Sequence, residues 1–369
     1  MAGWHPGDPI GKRQFAKLFA NQPLTLEGGK RFGPITLAYE TWGELNPTRS
    51  NAILLLHGFT GDSHAAGPVE PGHPEAGWWD GLIGPDRPLD TNSFFVVCPN
   101  AFGGCQGSTG PGSLAPDGVP YGSRFPTITI RDLVATEVAL AEQLGISTWH
   151  AVVGGSMGGM RALEWAITHP FAVERLMVMA TTAYATAEQI ALHHAQVRAI
   201  ELDPHFRGGD YQQETANEPQ SGLALARALA VLSYGYEREF ASLFHRRPEA
   251  ENNPLAEGRY AIEAYLEDDG ASLARRFDAN SYIALTKAMS HHDVGRGRGG
   301  VEAALARVQS RTRIVSIRSD RLFPARLQLE MAHALPGGVT FTGIDSNHGH
   351  DGFLHEHRQL APVIREILD

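Results

Sequence analysis

Ser156 lies in Gly154-Gly-Ser-Met-Gly158, a G-x-S-x-G pattern, with the apolar run Trp149–Val153 before it and helical character from Met160 to His169 behind it. A serine at such a strand-to-helix turn is lifted on strained backbone above a sheet edge, with a helix N-terminus beneath any negative charge that develops. Its hydroxyl is a weak nucleophile at neutral pH, so acyl chemistry there needs an imidazole base and a carboxylate to orient it. In chain order those partners follow as Asp or Glu and then His. Asp320 and His350 stand in that order, just past the apolar runs Arg313–Arg318 and Val339–Ile344. Asp320 could also serve as a turn or cap residue before Phe323-Pro324, and His348 is a second candidate base. Donors to a tetrahedral oxyanion would be the backbone N–H groups of Met157, beside the nucleophile, and of Phe59, in His57-Gly-Phe-Thr-Gly61.

A second set of residues suggests what the site would hold. Arg227 is the one charged residue in the apolar stretch Leu223–Tyr234, and Tyr234 falls two helical turns later on nearly the same face. A guanidinium among Leu and Ala needs a carboxylate, either from the protein or from a ligand. Asp351, next to His350, would either grip an ammonium group or cap a helix running from about Gly352 to Leu368. An anion site and a cation site together would describe an amino acid.

The elements that must position these residues alternate. Leu24–Glu27 and Ile35–Trp42 read as an opening antiparallel pair turned by Gly28-Gly29. Ala52–His57, Phe94–Cys98, Trp149–Val153 and Arg175–Ala180 follow as buried parallel strands, with a helix from the capping box Thr129-Ile-Arg-Asp132 to about Leu144. From Ala187 the period becomes helical, over Ala187–Leu202, Gly222–Phe244 and Tyr260–Ser290, before strand character returns at Arg313 and Val339 around a helix from Ala325 to Leu335. The sheet domain is therefore expected to be discontinuous, residues 1–183 and 300–369, with 184–299 as a helical insertion. Gly58–Tyr121 holds Gly/Pro-rich runs longer than a connector needs, which points to loops serving a site.

Composition removes other classes. With 42% hydrophobic and 20% charged residues, the 369-residue chain can bury a large core. A net charge of −10 lacks the basic footprint of a nucleic-acid binder. No apolar run approaches bilayer length, and the N-terminus shows no apolar leader segment, so the expected setting is the cytoplasm without membrane attachment. The 17 histidines show no ligand spacing, so no metal is expected. Of the two cysteines, Cys105 sits in a Gly-rich loop but has no assigned base and reads as structural.

The blocks AYETWGELN (38–46), LLLHGFTGDSHAAG (54–67), GCQGSTGPGS (104–113), TIRD (129–132), GGSMGGM (154–160), RFDANSY (276–282), SDRLFP (319–324) and GHDGFL (349–354) resemble the homoserine O-acetyltransferases of the α/β-hydrolase superfamily, nearly end to end. The resemblance implies an α/β class, with a mostly parallel central sheet flanked by helices and a helical lid over 184–299. It implies that Ser156, Asp320 and His350 form the triad and that Arg227, Tyr234 and Asp351 bind homoserine. It implies acetyl-CoA as co-substrate with no further cofactor, a homodimer, and a place in methionine synthesis. Similar enzymes use succinyl-CoA or acylate serine, and esterases share the fold; the TGDSHAAG loop is similar to the acetyl type.

Overall fold

Ala52–Leu56 is apolar at every position, and a strand with that pattern must be covered on both faces. The computed structural model, which describes residues 2–213, 218–250 and 253–369, places it near the centre of an eight-stranded sheet. In chain order the strands are β1 (Gln14–Leu18), β2 (Ile35–Trp42), β3 (Ala52–Leu56), β4 (Phe95–Pro99), β5 (Ala151–Gly155), β6 (Arg175–Met179), β7 (Arg311–Ile317) and β8 (Val339–Ile344). Their spatial order is β1-β2-β4-β3-β5-β6-β7-β8. The first two are antiparallel to their neighbours and the remainder run parallel. The strand order reverses between β3 and β5, and the crevice beyond such a switch is where open α/β sheets carry their sites.

Helix α1 (Ile130–Leu144) begins at Thr129, whose side chain accepts from the Asp132 N–H while Asp132 accepts from the Thr129 N–H, and ends on Gly145 in the left-handed region. Helix α2 (Met157–Thr168) follows Ser156 directly, and nearly all of it is buried. Between β6 and β7 the described elements are helical: α3 (Ala187–Glu201), α4 (Gln220–Tyr234), α5 (Glu237–Leu243), α6 (Ala261–Arg276), α7 (Ala279–Ser290) and α8 (Val301–Leu305), with short 3-10 turns. Helix α9 (Ala325–Ala334) joins β7 to β8, and α10 (Gly352–His355) and α11 (His357–Leu368) end the chain. One face of the sheet packs on α1, α2 and α9, the other on α11 and the loop around Trp79.

Three expectations are corrected. The partner of β2 is β1, with Gln14 opposite Tyr39, while Leu24–Thr25 pairs only with Arg31–Phe32 across the Gly28-Gly29 turn. In β1 only Ala16 and Leu18 are buried, so its charged neighbours mask the alternation. Gly222–Phe244 and Tyr260–Ser290 are each two helices. Gly235 breaks the first, where a β-carbon would sit 2.1 Å from the Phe240 ring, and Asp278 starts α7 by accepting the Ser281 N–H. The C-terminal helix likewise divides at Glu356.

A buried ion pair ties α1 to α2 beneath the centre of the sheet edge. Arg161, fully buried, donates through Nε to Glu137 Oε1 at 2.7 Å, and Trp165 Nε1 donates to Glu137 Oε2 at 2.7 Å. Removing one partner leaves the other charge buried and uncompensated. Glu137→Ala should therefore lower stability by about 3–5 kcal/mol, read as a lower denaturant midpoint; a change no larger than that of an exposed-site variant would refute this role.

Candidate active site

Ser156 has φ 57° and ψ −124°, a conformation that non-glycine residues rarely adopt. The surroundings hold it there. Two residues on, Gly158 packs so closely on β3 that a β-carbon would lie 2.0 Å from the Leu56 carbonyl oxygen. The Thr181 hydroxyl donates to the Ser156 carbonyl at 2.9 Å, and the Ser156 N–H donates to the Met179 carbonyl at 2.9 Å. The serine side chain is 6% exposed and does not cap α2.

Its hydroxyl instead lies 2.9 Å from His350 Nε2, and His350 Nδ1 lies 2.8 Å from Asp320 Oδ2. Asp320 also accepts the Phe323 N–H through Oδ1 at 2.8 Å, so the turn role and the orienting role belong to the same carboxylate. The loops after β5, β7 and β8 thus bring three distant residues to one sheet edge. His350 is packed among the rings of Phe323, Tyr234 and Phe353, with centroids 5.2, 5.4 and 5.6 Å away. Burial pulls its pKa down, but the Asp320 charge and hydrogen bond, helped by Asp351, outweigh burial and hold it above the ordinary 6.5. His348 is turned elsewhere, with Nδ1 3.0 Å from Glu239 Oε1.

Met157 opens α2, so its N–H has no acceptor within the helix and points to the helix N-terminal end. Phe59 lies on the loop after β3, its ring set against Tyr282 and Phe277. The loop base is fixed by His57: Nδ1 lies 2.7 Å from the Gly58 carbonyl oxygen, and Nε2 accepts the Ala101 N–H at 3.0 Å. Burial, reinforced by the Arg161 charge, lowers the His57 pKa to about 3, so it stays neutral.

Ser156 and His350 open onto a cavity of about 260 Å³ also lined by Arg227, Tyr234 and Asp351. Arg227 has a protein partner, Asp269 of α6: Nε donates to Oδ2 at 2.6 Å and Nη2 to Oδ1 at 3.4 Å. The guanidinium also lies over the Tyr234 ring, 5.7 Å from its centroid. Burial pushes the Tyr234 phenol up to about 12 although Arg227 opposes the shift. Asp351 begins α10 but makes no side-chain cap bond, leaving its carboxylate on the cavity wall. A guanidinium and a carboxylate thus flank the serine–histidine pair. Cys105 is half-buried, its thiol pushed up to about 12 by desolvation and the Asp278 charge, and it accepts the Asp278 N–H.

Sequence reasoning did not find Asp269, which sits in an acidic run on α6 and meets Arg227 only through helix pairing. Nor did it find Arg276, which lines the cavity and donates through Nη1 to the Thr60 carbonyl at 3.0 Å. Gln106 in the Gly-rich loop also reaches the cavity, its side chain donating to the Arg276 carbonyl at 2.9 Å.

A family model described as the alpha/beta hydrolase fold matches residues 51–356. The homoserine O-acetyltransferase of Thermobifida fusca (strain YX) is 52% identical over 365 residues, covering 99% of this chain and 96% of that protein. A crystal structure of homoserine O-acetyltransferase from Bacillus anthracis superposes with a TM-score of 0.89 at 30% identity, covering 97% of each chain. Esterase E22 superposes with a TM-score of 0.88 at 29% identity, over 97% of this chain and 99% of that one. On that similarity, sustained over almost the whole length, the chain belongs to the homoserine O-acetyltransferase family, built on the alpha/beta hydrolase fold.

Proposed function

We propose that this chain transfers the acetyl group of acetyl-CoA to the side-chain hydroxyl of L-homoserine through an acetyl-Ser156 intermediate. The observation that carries this reading is the Ser156–His350–Asp320 hydrogen-bond chain opening onto a cavity that also holds Arg227 and Asp351. His350, with its Nδ1 proton held by Asp320, takes the Ser156 proton at Nε2 as Oγ attacks the thioester carbon. The Phe59 and Met157 amides receive the oxyanion, the CoA thiolate leaves with the proton from His350, and the acetyl group remains on Oγ. Homoserine then binds with its carboxylate at Arg227 and Tyr234 and its ammonium at Asp351. His350 deprotonates the hydroxyl, which attacks the acetyl carbon; collapse releases O-acetyl-L-homoserine and returns the proton to Ser156. The chemistry needs no further cofactor.

Residues 184–299 act as the lid on a core formed by 1–183 and 300–369. Arg227 and Tyr234 reach the cavity from that segment, with Asp269 paired to Arg227, so the elements that recognise the acceptor also narrow the way in for water. Leu225 and Leu232 are exposed one heptad apart on α4, and this stripe supports pairing into a homodimer. The setting is the cytoplasm and the product feeds methionine synthesis. Succinyl-CoA or serine in place of these substrates would keep the triad. The structural likeness to esterase E22 supports hydrolysis as a second reading. The charged pair opposite the nucleophile favours an amino-acid acceptor over water.

CoA-thiol release by the purified protein, with acetyl-CoA or succinyl-CoA as donor and homoserine, serine or water as acceptor, tests this directly. Release should require acetyl-CoA and homoserine together; acceptor-independent release would make the protein a hydrolase. Ser156→Ala should lose the acetyl mass increment that the wild-type chain gains from donor alone, and persistence of that increment would displace Ser156 as nucleophile. Arg227→Lys should raise KM for homoserine roughly tenfold to a hundredfold, the scale of one charged hydrogen bond, while leaving Ser156 acetylation in place.

The base must be neutral to act, and Asp320 favours its charged form. Activity should therefore fall as the pH drops through a value above 6.5, the ordinary imidazole pKa. Asp320→Asn should move that limb to lower pH and reduce kcat by about 10⁴-fold. An unmoved limb would assign it to another group.

A further inference from the structure

A second, smaller cavity meets the first at the residues placed opposite the nucleophile. It measures about 110 Å³ against about 260 Å³ and lies between the lid helices α4–α6 and the chain after β8. Among the described residues, the linings of the two share Arg227, Tyr234 and Asp351 and nothing else. They reach solvent at different places. The exposed part of the larger lining is Pro74, Glu75 and Ala76, from the loop between β3 and β4, whereas that of the smaller is Leu243, Tyr265, His348 and His355. Arg227, Tyr234 and Asp351 therefore stand as a partition between two cavities with separate mouths.

The chemistry of the smaller cavity suits a different molecule from the donor. It presents the carboxylates of Glu239 and Asp351, the guanidinium of Arg227 and an apolar wall of Phe240 and Phe244. Groups of both signs in so small a space fit a short zwitterion, whereas a thioester on a long phosphate-bearing arm needs the larger cavity. The rim is also a seam between lid and core. His348 Nδ1 lies 3.0 Å from Glu239 Oε1 across it, with side chains 46% and 14% exposed, and pairs so open to solvent hold weakly. Deeper in, Gly349 (φ 52°) packs on the end of α4 so closely that a β-carbon would lie 2.0 Å from the Tyr234 carbonyl oxygen. The seam is thus loosest at the surface and tightest beside the partition.

We propose that the smaller cavity is a second entrance to the active site, used by the amino-acid acceptor, while the acyl donor uses the larger one. The proposal rests on the acyl-transfer reading above and adds a route to it. The acceptor enters with its hydroxyl arm leading and stops where its carboxylate meets Arg227 and its ammonium meets Asp351. That orientation delivers the hydroxyl into the larger cavity, on the side of Ser156 and His350. The donor arm and the acceptor then never pass each other in one mouth. Parting α5 from the loop at His348 opens the route without disturbing the Asp320–His350 contact, which lies on the core side.

Steady-state kinetics separate the two mouths, because in a ping-pong reaction kcat/KM for each substrate reports only its own half-reaction. The full-length chain is assayed with acetyl-CoA and L-homoserine, together with variants that plug either rim at an exposed position. Leu243→Trp and His355→Trp, on α5 and α10, should each lower kcat/KM for homoserine roughly tenfold or more, leaving kcat/KM for acetyl-CoA and the rate of Ser156 acetylation within about twofold of wild type. Ala76→Trp should do the reverse, lowering kcat/KM for acetyl-CoA alone. An unchanged homoserine constant in both rim variants, a fall in both constants together in either of them, or a fall in the homoserine constant in Ala76→Trp would each overturn the second entrance. Absence of transfer to homoserine by the wild-type chain would overturn the underlying reaction as well, and shows before any variant is assayed.

Discussion

The backbone of Ser156 is the constraint on which the remaining geometry rests. A left-handed serine costs on the order of 1–3 kcal/mol and persists only where the surroundings leave no alternative. Here β3 and β5 are neighbours, Gly158 lies against the end of β3, and α2 cannot withdraw because Arg161 is anchored to Glu137 across the core. The same contacts set the Met157 amide beside the Phe59 loop. Strain at one residue is thus offset by burial and ion pairing over an entire helix.

Around that fixed point the charges are arranged in tiers. Asp320 faces His350, Asp269 faces Arg227, and Asp351 has no cap role that would compete for its carboxylate. Arg227 is only partly committed to its protein partner. Its Nε and Nη2 point to Asp269 while the planar group rests on Tyr234, so the side chain is held in one orientation before a ligand arrives. In the acceptor site proposed above, a cation already held in place would lower the ordering cost of binding, inside a cavity where charges are screened less than in water.

Legibility followed the range of the interactions involved. Strands β3 and β5 are short and apolar, the glycine pattern around Ser156 is local, and the capping box at Thr129 is contained in four residues, so each could be read along the chain. Asp320 and His350 were found from chain order rather than proximity, because the fold repeats one geometry at successive strand ends. The pairing of β1 with β2, the breaks at Gly235 and Asp278, and the Arg227–Asp269 contact all depend on what a segment meets after folding. Arg227 shows the limit plainly: the apolar helix around it revealed that a carboxylate was needed, but not that α6 supplies one.

The long helical excursion between β6 and β7 has a temporal meaning. A chain emerging from the ribosome presents Ser156 and its glycine-rich turn well before Arg311–Ile317 exists to pair with β6, and His350 appears only near the end. Until then the open edge of β6 is a surface on which another strand could add, and the intervening helices form before the parallel partner closes it. Ser156 is therefore built early and meets its imidazole partner last, so a nascent or truncated chain carries the serine without the His350–Asp320 pair beside it.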